Sequence, residues 1–208
     1  MFLKVLPVGP IQANSFVIGC PDTQAGVVID PGDEVPRILS VLESAGLHLK
    51  YIINTHGHFD HVGGNQALKA ACDAPILIHP ADAPMLDQLA ATARSFGLSA
   101  ENSPQPDRLI EDGETIDFGT LRFKVLHTPG HTPGGVSLVM DGKVFVGDTL
   151  FAGSIGRTDF PGGDYDTLIN SIHQKLFSLD DDVIVYTGHG PETTIGREKR
   201  SNPFARIR

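Results

Sequence analysis

Three histidines and an aspartate stand within the seven residues "THGHFDH" at 55–61, directly after the apolar run Tyr51-Ile52-Ile53. Neutral imidazole and carboxylate are ligands for divalent first-row metals, and core packing gives no reason to crowd so many titratable groups into one turn. Gly57 inside the stretch and Gly63-Gly64 after it oppose a helix, so the segment is expected to leave a strand as an extended loop. Alternation would then put His56, His58 and Asp60 on one side while the adjacent His61 turns elsewhere, offering ligands to two neighbouring ions. The competing reading is an exposed histidine-rich turn. It weakens because further candidates follow: "HTPGHTPGG" at 127–135 with His127 and His131, "VGDTLF" at 146–151 with Asp148, and "YTGHGP" at 186–191 with His189. All fall at strand-to-loop transitions, where catalytic groups are commonly placed.

The elements that must position these groups are legible in the apolar spacing. "FLKVLPV", "SFVIG" and "GVVID" form a β-meander closed by Pro31-Gly32. Val35, Ile38, Leu39 and Leu42 then follow helical spacing, with Gly46 as the stop. "YIIN" is a buried strand, residues 65–72 a short helix, "PILIH" a strand and "ADAPMLDQLAATARSFG" another helix before the polar loop "SAENSPQPD". "LRFKVLHT", "GVSLVMDG" and "KVFVGD" are consecutive strands. Leu168, Ile169, Ile172, Leu176 and Leu179 mark one more amphipathic helix, and "DVIVYTG" is the last strand. This order predicts an α+β chain, two sheets packed together with helices outside, as a single domain over residues 1–208.

The ordered set THxHxDH, TPGHT, GDTLF and GHG resembles the metallo-β-lactamase superfamily and, within it, the glyoxalase II-like hydrolases. "GSIGRTDFPGGD" and "GHGPETTIGREKRSNPF" are similar to the short, single-domain, YcbL-type members. The resemblance implies a four-layer αββα sandwich of two mixed sheets. It implies that His56, His58 and His131 hold one metal, that Asp60, His61 and His189 hold the other, and that Asp148 bridges them. The implied cofactor is two divalent metal ions, with zinc as the first expectation and iron or manganese left open, since no cysteine ligand selects among them. Asp30 matches a position that supports the ligand loop in the family, or else is a turn aspartate before Pro-Gly.

The activity implied is hydrolysis of a small thioester by a metal-bridged hydroxide, with S-lactoylglutathione as the leading substrate and Asp60 orienting the hydroxide and taking a proton. The helical glutathione-binding domain of longer relatives is not expected here. Arg157, in "GRTDF", lies where the family contacts glutathione, and either binds a substrate carboxylate or pairs with Asp159. The alternative within the fold is a persulfide dioxygenase using a single iron. Thr187 stands where the family usually has proline, which is expected to loosen the loop carrying His189.

Other residues carry plainer expectations. His127 is expected to brace its loop, and His48, His79 and His173 to be structural. "GREKR" at 196–200 reads as a solvated helix face rather than a substrate anchor. With 25 acidic against 16 basic residues the net charge is −9, which disfavours nucleic acid and anionic membranes as partners. The start has neither the charged region nor the long apolar stretch of a signal peptide, so a cytoplasmic location is expected. Cys20 and Cys72 are expected to be buried thiols and not a disulfide.

Overall fold

The predicted meander is present: β1 (Phe2–Val8), β2 (Ala13–Gly19) and β3 (Ala25–Ile29) pair antiparallel in chain order. The computed structural model describes residues 1–206. Helix α1 (Val35–Ser44) crosses over to β4 (His48–Ile53), which lies parallel to β3. Two short helices, α2 (Phe59–Val62) and α3 (Asn65–Cys72), lead to β5 (Ile76–Ile78), again parallel. A 3-10 turn (Ala83–Gln88) and α4 (Leu89–Ser95) precede β6 (Arg108–Leu109), the edge of this six-stranded sheet.

The second sheet has β7 (Thr115–Phe118), β8 (Leu121–His127), β9 (Val136–Met140) and β10 (Lys143–Phe145) in antiparallel succession. A small hairpin of β11 (Leu150–Phe151) and β12 (Ser154–Ile155) follows, then α5 (Tyr165–Ser171), which runs on through a π-helical turn (Ile172–Leu176). Strand β13 (Ile184–Tyr186) returns parallel to β10, β14 (Thr193–Thr194) pairs antiparallel with β13, and α6 (Ile195–Ser201) ends the fold. Both sheets are therefore mixed.

Strand alternation builds the layers, because successive side chains leave opposite faces. Phe16 and Ile18 of β2, and Val27 and Ile29 of β3, meet Phe118, Phe123, Leu138 and Phe145 of the other sheet in one apolar core. The intervening Val17 and Val28 face outward onto Val35, Ile38 and Leu42 of α1 and Leu68 of α3. On the far side Val144 and Val185 pack against Leu168 and Ile172 of the α5 segment and Ile195 of α6. The result is the expected αββα order. Each such fully buried aliphatic or aromatic side chain contributes roughly 1.5–3 kcal/mol.

Local sequence explains the element ends. Pro36 sits in the first turn of α1, where its missing N–H costs nothing. Gly46, at φ 64°, closes α1: its N–H reaches the Glu43 carbonyl and that of Leu47 reaches Leu42. Asp164 caps α5 by accepting from the Thr167 N–H at 2.8 Å.

Several expectations need correction. Residues 59–62 of the ligand stretch form a helical turn instead of extended chain, with His58 at its start. The single helix expected over 81–97 is split at Leu89, and the helix through Leu179 ends at Leu176 after a change of pitch. Strands β6, β7, β11, β12 and β14 were not anticipated; three of them, β6, β7 and β14, are edges of the large sheets. Both cysteines are free thiols, but Cys72 is only half-buried.

Candidate metal centre

Every candidate ligand follows the C-terminal end of a strand, and all those ends lie along one rim. β3 and β4 run parallel in the first sheet, while β8 and β10 share a direction through their common antiparallel partner β9, and β13 is parallel to β10. After β4 come His56 and His58 in a loop and Asp60 and His61 on α2. The turn of α2 rotates adjacent residues by about 100°, which separates Asp60 from His61 as the extended loop was expected to do. His131 follows β8, Asp148 follows β10 and His189 follows β13.

The side chains converge. His56, His58 and His131 form one group, and Asp60, His61 and His189 another, with the ligand atoms of each group within 4.8 Å of one another. His58 Nδ1 lies 2.9 Å from His131 Nε2, and His61 Nε2 lies 3.2 Å from His189 Nε2. Asp148 faces both groups, with Oδ1 3.4 Å from His61 and Oδ2 3.5 Å from His131. The seven residues named by the resemblance thus lie together in one cluster.

A metal fits this donor set on structural grounds. His56 Nε2 and Asp148 Oδ1 are buried at the convergence point without a hydrogen-bond partner, a costly arrangement unless a cation is shared between them. The far nitrogens, by contrast, are engaged. His61 Nδ1 is 3.0 Å from Asp30 and His131 Nδ1 is 2.7 Å from the Arg157 carbonyl, so each ring donates outward and turns its Nε2 inward.

The protonation pattern follows from surroundings. Burial, then the neighbouring rings of His61 and His58, hold His56 well below the ordinary histidine value; burial and His131 bring His58 down to about 4. Burial also opposes charge on His61, but the carboxylates of Asp148 and Asp60 outweigh it and raise its pKa. His189 moves the same way: burial lowers it, and the Asp60 hydrogen bond with the Asp148 charge raises it more. For Asp148 and Asp60 burial works upward, but the histidines, His61 foremost, keep both carboxyls below the usual range.

Asp30 has a supporting role. Its carboxylate accepts from the Thr55 N–H at 2.7 Å, from the Thr55 hydroxyl at 2.6 Å and from His61, fixing the start of the ligand loop. This also accounts for the third grouping of Asp30, His56 and His61 as potential ligands. Asp30 additionally sits at φ 50°, a left-handed position that aspartate tolerates.

Two residues carry the site without having been singled out. Asp82, fully buried, accepts from the Gly57 N–H at 3.0 Å and the Gly134 N–H at 2.6 Å, tying the His56–His58 loop to the loop after His131. A Cβ at Gly134 would lie 2.7 Å from the Asp82 Cγ, so the approach requires glycine. Asn14 of β2 donates through Nδ2 to the carbonyls of Thr187 and Gly190, both at 2.9 Å, and its N–H donates to Gly188. No local pattern marks either residue. The Thr187 hydroxyl donates to the His189 carbonyl at 2.7 Å, so threonine pins the loop that it was expected to loosen.

His127 donates through Nε2 to the Pro133 carbonyl, 2.9 Å away, and so braces its loop, while His79 stacks on it at 4.1 Å. His173 contacts the Ala205 carbonyl at 2.7 Å, and His48 is exposed. Arg157 pairs with Asp159 through two contacts, at 2.9 and 2.7 Å, although it also lines the cavity beside the ligands. In α6, Lys199 and Arg200 pair with Asp181, and of its charged residues only Glu198 is buried, accepting from Thr193 and Gly153. None of these α6 side chains lines the cavity.

Two facing mixed sheets with ligand loops gathered along one rim define a metallo-hydrolase core. The chain belongs to the metallo-beta-lactamase superfamily, whose sequence pattern matches residues 8–189. The hydroxyacylglutathione hydrolase GloC of Haemophilus influenzae is 43% identical, over 98% of both chains. The B3 metallo-beta-lactamase BLEG-1 superposes with a TM-score of 0.92 at 38% identity, covering 98% of this chain and 99% of that one. The di-iron-bound form of TTHA1623 gives 0.89 at 41% identity, covering 98% and 100%. Among the described residues, no helix is long and apolar enough to cross a membrane.

Proposed function

We propose that the protein is a metal-dependent thioester hydrolase of the hydroxyacylglutathione hydrolase kind, with two divalent ions at its centre. The observation that carries this reading is the pair of three-ligand groups, one on each side of Asp148 and opening into a single cavity. Similarity to GloC across the whole length supports the thioester as substrate class. Bound ions supply polarisation of the acyl carbonyl and a water acidic enough to act near neutral pH.

The chain's own residues do the rest. Asp60 Oδ2, 3.2 Å from His189 and 3.6 Å from His61, is an ionised carboxylate at the cavity wall and can take the proton of the attacking water. The water oxygen bonds to the acyl carbon, the carbon–sulfur bond breaks, and the leaving thiolate is protonated to the free thiol. No nucleophilic side chain is needed, and neither Cys20 nor Cys72 lines the cavity. The two free thiols also fit a reducing, cytoplasmic setting.

Zinc is the metal we infer first; the di-iron form of TTHA1623 makes iron the next to examine. The persulfide dioxygenase reading calls for one iron, and the two separate three-ligand groups favour two ions over one. Metal quantification, a thioester panel beginning with S-lactoylglutathione, and parallel oxygen measurement test the proposal together. The expected result is about two ions per chain and thioester cleavage lost on chelation. Oxygen uptake with glutathione persulfide and no thioester cleavage would overturn it.

A further inference from the structure

The cavity beside the ligands has a volume of about 860 Å³, large for a lactoyl group and within the range that encloses a much bigger ligand. An aromatic rail leads outward from it. His58 meets Phe160 edge-on at 5.7 Å, Phe160 meets Phe96 at 5.9 Å, and Phe96 meets Phe59 at 5.6 Å. Met85 and Leu89 continue the same wall, and Phe96 is left 49% exposed at its outer end. Exposed phenylalanine is unfavourable in water, and its place beside a reactive centre gives it a use as a contact surface.

Charge argues in the same direction. A glutathione thioester carries two carboxylates and one ammonium group. Arg157 is the only lysine or arginine along the cavity wall among the described residues, and Asp159 already holds its guanidinium in two hydrogen bonds. The guanidinium also lies over the Phe160 ring at 4.1 Å, so it extends the flat wall more than it offers free donors. The remaining polar side chains along α4 and the turn before it, Gln88, Thr92 and Ser95, are uncharged.

We propose that the wall of Phe59, Met85, Phe96 and Phe160 selects thioesters with an apolar acyl group on an uncharged thiol over the charged glutathione thioester. This rests on the metal-dependent thioesterase reading above and replaces glutathione with an uncharged thiol as the leaving group. The acyl chain lies along the aromatic rail with its thioester at the inner end, beside His58 and His131. Each methylene buried against the wall raises kcat/KM by up to about fourfold until the cavity is filled.

The test uses the metal-loaded protein and a series of N-acetylcysteamine thioesters with acetyl, butyryl, hexanoyl and lactoyl groups, alongside S-lactoylglutathione. The expected outcome is a rise from acetyl to hexanoyl, with the lactoyl N-acetylcysteamine thioester cleaved at least as well as S-lactoylglutathione. Phe96→Ala and Phe160→Ala should each cut the hexanoyl-to-acetyl ratio by about tenfold. A flat series, an unchanged ratio in both variants, or S-lactoylglutathione cleaved ten times faster than its uncharged counterpart would overturn the proposal. If no thioester is cleaved, the hydrolase reading fails first. Calorimetry then decides the wall separately: an S-hexyl-N-acetylcysteamine thioether should bind more tightly than S-methylglutathione and lose affinity in Phe96→Ala, and equal binding would overturn the apolar preference.

Discussion

Asp82 shows how one side chain can govern a metal site without touching it. It holds the Gly57 and Gly134 N–H groups from two loops of different sheets. Asp82→Ala would leave both donors buried without acceptors, a loss of about 2–6 kcal/mol at about 1–3 kcal/mol per group. Metal affinity should also fall about 10- to 100-fold, as for other residues that orient ligands from behind. Urea unfolding of the metal-free variant and metal titration check the two effects, and Asp82→Asn, which keeps one acceptor, should fall between. Asp60→Ala should lower turnover by at least about 100-fold, measured at saturating metal; near wild-type rates would remove Asp60 from its role. The carboxylates hold His61 and His189 above the ordinary histidine value, so a metal must compete with protons at these rings. Metal binding should release protons, and affinity should weaken as pH falls. Calorimetry in buffers of different ionisation enthalpy reads this directly, and a buffer-independent heat would contradict it. At this scale the convergence of the seven candidate ligands was legible because their chemistry is conspicuous and their spacing unusual. Asp82 and Asn14 were not, since each works through backbone groups distant in the chain that only the finished fold brings close.

At the scale of elements, the decisive piece is the four-residue helix α2. Its backbone lies against the Pro31-Gly32 turn: the Gly64 N–H donates to the Pro31 carbonyl at 2.7 Å, and a Cβ on Gly32 would fall on the Asp60 carbonyl oxygen. Gly32→Ala should therefore push α2 away from the rim. The expected result is weakened binding of the ion held by Asp60, His61 and His189, with the His56–His58–His131 group less affected. Metal stoichiometry under limiting free metal checks this, and equal loss of both ions would count against it. One turn of helix leaves no periodicity in sequence, so α2 could not be seen there, whereas α1 was read from its apolar stripe. The pitch change after Ser171 escaped for a related reason: apolar spacing reports which face is buried and not how the backbone hydrogen bonds are paired. Two-residue strands such as β6 and β14 are likewise too short to alternate visibly, and they exist because a longer neighbour offers them an edge.

Over the whole molecule, the ligands divide between the sheets: four follow β4 of one, and three follow strands of the other. An ion held by His56, His58 and His131 would therefore draw on both halves of the sandwich, an arrangement that only the native state offers. Saturating metal should raise the melting temperature, by about 2.7 kcal/mol of stabilisation at a hundredfold excess over Kd, and chelation should reverse it. Differential scanning of metal-free and reloaded protein is the check; identical melting would contradict a bridging site. The layered architecture was foreseeable because alternating strands and striped helices each demand a partner for one face, and two sheets with outer helices satisfy all of them.

Asn14 and Ala13, in the second strand of the chain, hold the segment that carries His189, where Ala13 and His189 form an isolated bridge. Ribosomal synthesis delivers these partners at opposite times. His56, His58, Asp60 and His61 emerge well before His189, and the segment carrying His189 meets the strand it docks against only after the long stretch between them has been made. On the two-ion reading, capture of the second ion must follow synthesis of His189, and a nascent chain stalled before it would have no complete second binding place.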